Sequence, residues 1–308
     1  MRLSIDFGGT NLKLGLINET PRFVDFAEIS LNEFPEGKAF LEALFDRLDI
    51  FLAGRVPEVV GLAAKGGVDL KNAEVLSDIG AGKWLVGKDL RQQFETHFGV
   101  PFILDNDARA YGLGEYQFGA GQGASTLVCL TLGTGVGCSV LNAGIPYQSS
   151  DPLGGLLGGH ISIDRNGLPC SCGNRGCLER YVSATALHDI INKKYESLLV
   201  PDQDPVATFF SQGTIEVNTA LSRELVRYQD NLTQGIVNII HAYGPDRIVI
   251  GGGVSQSAEY FLPAVKERVY KMSWTTPKGG TEIVAASLGN KAALLGMAFH
   301  PTYKNYNS

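Results

Sequence analysis

Residues 160–177 read HISIDRNGLPCSCGNRGC and hold three of the chain's five cysteines. His160, Cys170, Cys172 and Cys177 are side chains of the kind that fill a zinc tetrahedron. A redox role fits poorly. There is no CxxC, and Cys170 and Cys172 stand too close for an unstrained disulfide. On spacing alone, a metal site competes with a coincidental cluster of buried thiols. Cys129 and Cys138 fall in apolar strand-like stretches and are expected in the core rather than on a metal.

A second kind of chemistry is written in glycine. Three turns could hold phosphate oxygens: Asp6-Phe7-Gly8-Gly9-Thr10, Gly133-Thr134-Gly135-Val136-Gly137 and Gly251-Gly252-Gly253-Val254-Ser255. Without a Cβ, successive backbone N–H groups can face an anion. Thr10 and Thr134 add hydroxyl donors, and Asp6 at a strand end could hold Mg²⁺ through water. Each turn alone reads more simply as a hairpin. None matches the GxxxxGK[ST] phosphate loop, and no GxGxxG opens a helix after the first strand. Their weight lies in their number and placement. A carboxylate completes the set. In LDNDARA, residues 104–110, Asp105, Asn106 and Asp107 stand where a strand gives way to a helix. Such residues cap helices. Asp107 could equally take a proton from an acceptor hydroxyl, as kinase carboxylates do. The residues alone leave both readings open.

The elements that must position these groups alternate along the chain. RLSIDF and NLKLGLIN predict a hairpin, with Leu12, Leu14 and Leu16 on one face. KAFLEALFDRLDIFLAG has helical spacing and stops at Gly54, and KDLRQQFETHFG is a helix ending at Gly99. EVVGLAA and VPFILD are strands, and DARAYGLGEYQFG is a helix. STLVCLTLGTGVGCSVLNAG then repeats the opening pattern about 124 residues on. SATALHDIINKKYESLL and SRELVRYQDNLTQGIVNIIHAYG predict helices. DRIVIGGGVSQSAEYFLPAVKERV predicts strand, turn and helix, TEIVAAS a last strand and NKAALLGMAFH a closing helix. The alternation and the repeat predict an α/β protein of two related domains. At roughly 150 residues per domain, 308 residues agree.

Composition excludes other classes. The net charge of −6 gives no basic surface for nucleic acid. The most apolar stretch, residues 126–141, is broken by Gly133, Gly135 and Gly137 and falls short of the ~18–20 residues of a membrane helix. No signal peptide is visible, because Asp6 interrupts the apolar start. The expectation is a soluble cytoplasmic protein with no nucleic-acid or membrane partner.

The sequence resembles the ROK family of sugar kinases, within the actin/hexokinase-like ATPase superfamily. The motifs are DFGGTNLKLG at 6–15, NDARA at 106–110, LTLGTGVGCSVLNAG at 130–144, GH at 159–160, CSCGNRGCLE at 170–179 and IVIGGGVS at 248–255. The likeness spans nearly the whole chain, and the cysteine segment follows the family's CxCGxxGCxE pattern position by position. The resemblance implies a two-lobed actin/hexokinase-like fold, duplicated and ribonuclease-H-like, with a ligand cleft between the lobes. The small lobe would be residues 1–118, completed by 289–308, and the large lobe residues 119–288. Asp6, Gly8, Gly9, Thr10, Lys13, Gly133, Thr134, Gly135 and Gly137 would serve the phosphates of ATP and its Mg²⁺, and Gly251, Gly252 and Gly253 the adenosine. Gly66, Asn106, Asp107, His160 and Glu179 would bind the sugar. Asp107 would be the general base toward its hydroxyl, usually the 6-hydroxyl of a hexose or hexosamine. His160, Cys170, Cys172 and Cys177 would hold a structural zinc ion. A homodimer or higher homo-oligomer is implied.

Three positions depart from the family. Leu157 stands where ExGH has Glu, Lys65 where PGxVD has Pro, and Gly80 where an Asn commonly precedes Trp84. All three fall on the sugar side. A lost carboxylate removes acceptors for sugar hydroxyls, which predicts preference for a sugar other than glucose: an epimer, an amino sugar or a glycoside. Lys65 either supplies a cation to the substrate or reaches to solvent. The competing readings are a non-catalytic sugar sensor and a kinase of a non-standard sugar or polyol. Family repressors carry an N-terminal DNA-binding domain, and with MRLSIDF opening directly on a strand none is expected here. A base aimed at a hydroxyl also has no use in a sensor.

Overall fold

RLSIDF and NLKLGLI pair as the alternation predicts. Strands β1 (Arg2–Phe7) and β2 (Asn11–Ile17) are antiparallel, with Asp6 opposite Lys13, and Leu12, Leu14 and Leu16 are fully buried. In this computed structural model, residues 1–37, 39–76, 83–196, 203–215, 219–275 and 278–305 are described. Gly80, and the part of the helix expected beyond residue 196, lie outside them. Strand β3 (Phe23–Ser30) extends the hairpin. The sequence reading named no strand there, because FVDFAEIS alternates between half-buried and exposed and carries a weak core signal. Helix α1 (Ala39–Leu52) buries Phe40, Leu41, Leu44, Leu48 and Leu52, the positions its periodicity marked. Strand β4 (Val59–Ala64) then runs parallel to β1.

A small ribbon of β5 (Val68–Asp69) and β6 (Glu74–Val75) follows. Helix α2 (Leu90–Phe98) is opened by Asp89, whose carboxylate accepts the Gln92 N–H, and closed by left-handed Gly99. Strand β7 (Phe102–Asn106) pairs parallel with β4, and helix α3 (Asp107–Phe118) begins at the next residue. The sheet order is β3-β2-β1-β4-β7.

The second copy follows the same plan. Strands β8 (Thr126–Leu132) and β9 (Val136–Asn142) form its hairpin, and both Cys129 and Cys138 are buried in it. After the two-residue strand β10 (Ile145–Pro146) come helices α4 (Glu179–Val182), α5 (Ala184–Lys194), α6 (Pro205–Ile215) and α7 (Ala220–Tyr243). Strand β11 (Arg247–Gly251) pairs parallel with β8. Helix α8 (Ala258–Met272) leads to β12 (Glu282–Ala285), parallel to β11. Helix α9 (Ala292–Ala298) closes the fold. The order β9-β8-β11-β12 matches β2-β1-β4-β7 strand for strand. The repeat seen in sequence is therefore a repeat of topology.

Packing divides the chain into two units. The first comprises Met1–Gly119, Ile145–Gly154 and the chain from Asn290; the second comprises Ala120–Gly144 and Gly155–Gly289. Ile145–Gly154 thus belongs to the first unit, although in sequence it lies inside the span read as the second. Each unit has its own core. In the first, Leu3, Ile5 and Phe7 of β1 meet Phe40, Leu44 and Leu48 of α1 and Leu62 of β4. In the second, Leu130, Ile248 and Ile250 meet Leu232, Ile236 and Ile240 of α7 and Phe261 of α8. Each such side chain contributes roughly 1.5–3 kcal/mol on burial, which holds the strand ends rigidly where the chemistry sits. Among the described residues, no helix is long and apolar enough to cross a membrane.

Candidate active site

The first unit concentrates charge where its parallel strands end. The register sets Phe7 beside Ala64 and Ala64 beside Asn106. Gly8, Lys65 and Asp107 are therefore the first residues past three neighbouring strands. Ligands in open α/β sheets bind at such carboxyl ends. Gly8 starts a tight turn in which its N–H donates to the Asn11 carbonyl at 3.0 Å. Gly9 and Thr10 at its tip are exposed. Asp6 is almost wholly buried, and among the described residues its ion-pair partner is Lys13, distant at 3.4 Å. Burial pushes the Asp6 carboxyl above the usual carboxylate range, Lys13 pulls it back, and Glu28 adds repulsion. A buried carboxylate this loosely paired suits a hydrated divalent cation.

Of the two readings of LDNDARA, the structure shows the cap. Asn106 is the cap. Its Oδ1 accepts the N–H groups of Ala108 and Arg109 at 2.9 and 3.2 Å, and its Nδ2 donates to the Gly66 carbonyl at 2.8 Å. One N–H of that amide is left for a ligand. Asp107 is thereby free of the capping duty, although one of its oxygens accepts the Ala108 N–H at 2.9 Å. Its pKa is raised to about 6. Burial is the main cause, repulsion from Asp6 adds to it, and Lys65 and the Ala108 N–H oppose it. A carboxylate near 6 is a competent proton acceptor at neutral pH.

Asp105 makes a third, structural use of the cluster, which sequence reasoning missed. It accepts Arg109 Nε at 2.6 Å, His300 Nε2 at 3.1 Å and the Asn106 N–H at 2.7 Å. Arg109 also donates to the carbonyls of Pro152 and Val68 at 3.3 and 3.2 Å. Burial raises the Asp105 carboxyl, but the His300 hydrogen bond and the Arg109 charge outweigh it and hold it below the ordinary range. This closed network fixes the β7–α3 junction and so the direction of Asp107. The i,i+4 spacing of Asp105 and Arg109 at a helix start was a legible signal. His300 lies 195 residues from Asp105 and had none.

The second unit is built differently. Its turn, Gly133–Gly135, is held by Glu179, whose Oε2 accepts the Val136 N–H at 2.9 Å, while Gly137, expected in the turn, pairs with Thr131 inside β9. A side chain on Gly135 would collide with that same carboxylate oxygen, so only glycine permits the contact. Gly133 closes the turn by donating to the Gly135 carbonyl at 2.9 Å, and its carbonyl accepts the Ala184 N–H at 2.7 Å. The space in front of Gly133 and Gly253 is open: a Cβ there would meet nothing within 4 Å. Gly252 and Gly253 follow β11 and enter a short helical turn through the Ser255 N–H to Gly252 carbonyl bond, 3.1 Å.

The four ligand atoms of His160, Cys170, Cys172 and Cys177 lie within 4.8 Å of one another. Cys170 Sγ is 3.5 Å from His160 Nδ1, and Cys172 Sγ is 3.6 Å from Cys177 Sγ. Ligands at the bond lengths of zinc stand about 3.6 Å apart for S and N and about 3.8 Å for two S atoms on a tetrahedron, so the donor set fits that ion. The loop is shaped for it. Gly176 has φ +68° and lies against the Asp164 backbone, where no side chain has room. The Ile163 N–H to Gly176 carbonyl and Leu178 N–H to Ile161 carbonyl bonds (2.8 and 3.0 Å) tie Cys177 beside residues 161–163, just past His160. Leu157 shares a short helical turn with His160 and is half exposed.

A duplicated α/β scaffold with a buried carboxylate and glycine turns at its strand ends is the setting in which ATP-dependent phosphotransferases work. The chain belongs to the ROK family, which it matches over residues 2–300. It is 31% identical to a glucokinase of Thermotoga maritima, across 96% of this chain and 95% of that one. It is 28% identical to a putative xylose repressor of Caldicellulosiruptor sp., across 96% of this chain and 76% of that one. Its fold is that of a ROK glucokinase from Streptomyces griseus, solved with glucose and AMPPNP, at a TM-score of 0.71 and 26% identity, covering 96% of this chain and 97% of that one.

Proposed function

We infer that the chain is an ATP-dependent carbohydrate kinase with Asp107 as its general base. The observation that carries this is Asp107 itself: one residue past β7, relieved of capping by Asn106, and raised to about 6 by burial. The sugar hydroxyl gives its proton to Asp107 as its oxygen attacks the γ-phosphorus in line. The new O–P bond forms while the bridging P–O bond breaks, and ADP leaves with that electron pair. The turns at Gly8–Thr10 and Gly133–Gly137 would offer backbone N–H groups to the phosphates, and Gly251–Gly253 would lie against the adenosine. Asp6, with Lys13 behind it, would hold Mg²⁺ through water. That ion neutralises phosphate charge when bound.

On the sugar side we propose Gly66, Asn106, Asp107, His160 and Glu179. His160 turns Nδ1 toward the thiols. With zinc on Nδ1, Nε2 would carry the proton and could donate to a sugar oxygen. The zinc, held by His160, Cys170, Cys172 and Cys177, would be structural, because four protein ligands leave no open position. The family resemblance further supports a cytoplasmic homodimer or larger homo-oligomer.

Leu157 offers no acceptor to a sugar hydroxyl and favours a hexose other than glucose. The test is an ADP-release assay with ATP and Mg²⁺ over glucose, mannose, allose, fructose, glucosamine, N-acetylglucosamine, N-acetylmannosamine and a β-glucoside. Turnover of one non-glucose sugar well above the rest is expected. Glucose as the clear winner would sink the preference. No turnover on any of them, with a sugar raising the melting temperature, would favour a sensor.

A further inference from the structure

We propose that Lys65 is a catalytic residue whose ammonium group binds the phosphoryl group in transfer; this rests on the kinase reading above. Three observations in the first unit support it. Lys65 follows the central one of three parallel strands, between Gly8 of the phosphate turn and Asp107 of the acceptor side. Neighbouring strands lie about 4.8 Å apart, so the lysine bridges the two groups that must meet across one phosphorus atom. Its Nζ lies 4.0 Å from the point where a side chain on Gly9 would begin, over the tip of the turn. The backbone beneath it is pinned, since the next residue, Gly66, gives its carbonyl to Asn106 Nδ2 at 2.8 Å.

The state of the ammonium points the same way. Lys13 pairs with Asp6, whereas among the described residues Lys65 makes no ion pair. It is also not a side chain lying out in solvent, because it is only partly exposed. A compact point charge with three donors suits a phosphoryl group, whose equatorial oxygens carry the charge of the transition state. A neutral sugar hydroxyl beside Asp107 has no comparable need for a cation. Lys65 transfers no proton in this role; it remains an ammonium and hydrogen-bonds a γ-phosphate oxygen before and during transfer.

The test compares wild type, Lys65→Met and Lys65→Arg in two measurements. Steady-state kinetics should show Lys65→Met losing about 10²-fold in kcat with an unchanged sugar KM, and Lys65→Arg keeping part of the rate. Calorimetry in Mg²⁺ buffer should show Lys65→Met weakening the ATP analogue AMPPNP about tenfold while leaving ADP within about twofold, because only the former carries a γ-phosphate. Equal weakening of both nucleotides, or of neither, overturns the proposal. So does a raised sugar KM at unchanged kcat, which would make Lys65 a sugar contact. The nucleotide comparison needs no turnover. A wild type that phosphorylates no sugar would therefore defeat the kinase reading while the AMPPNP-to-ADP ratio still decided the role of Lys65.

Discussion

The two units share one strand plan and differ in what they put at its ends. In the first, the residues that follow β1, β4 and β7 are Gly8, Lys65 and Asp107, with Asp6 just inside the edge. In the second, the residues that follow β8, β11 and β12 are Gly133, Gly252 and Ala286. One copy ends in titratable side chains and the other in backbone. In the second unit Glu179, at the start of α4, accepts from the glycine turn, and His160 gathers with the three cysteines. The difference teaches how a duplicated scaffold divides labour. Side chains that take up or neutralise charge need the rigid, half-buried strand ends of one copy, and a phosphate-sized turn needs only N–H groups with nothing in front of them.

If that division is right, the largest effect belongs to the first unit. Asp107→Asn should lower kcat by about 10²–10⁴-fold while calorimetry shows sugar affinity largely kept. Near-native turnover would remove Asp107 from the chemistry. In the second unit, Cys172→Ser should strip the metal. Native protein should hold about one zinc per chain by elemental analysis, and the variant much less, with a lower melting temperature. A metal-free native protein would reduce the cluster to thiols. Gly135→Ala sharpens the comparison further. It drives a methyl group into the Glu179 carboxylate and should cost one charge-assisted hydrogen bond, raising the KM for ATP roughly tenfold and, because Glu179 also stands on the proposed sugar side, raising the sugar KM with it.

The smallest effect is one of stability, in the first unit. The folded pKa of Asp107, about 6, lies above the ordinary carboxylate value because of burial first and Asp6 second. The folded state therefore binds that proton more tightly. Its contribution is fully present below about pH 4 and is lost as pH rises through about 6. Asp107→Asn should accordingly melt a few degrees higher than wild type at pH 8, with the gap closing toward pH 4. A variant that is less stable at pH 8 would show that the carboxylate is satisfied rather than strained.

Local pattern alone carried much of this protein. Leucine alternation determined the hairpins, helical spacing with Gly99 and Gly244 determined α2 and α7, and the recurrence of strand-turn-strand determined the duplication. The cysteine cluster was legible because its four side chains lie within residues 160–177. Other features needed the fold. β3 pairs only because β2 offers an edge. Which residue of the Asn106-Asp107 pair caps α3 was decided only by the fold. The closed network of Asp105, Arg109 and His300 joins residues far apart in sequence. Lys65 shows the reason most plainly. Sequence can say what a side chain is and who its near neighbours are, but only the register of three parallel strands brings Gly8, Lys65 and Asp107 side by side, and it is adjacency that decides what a charge can do.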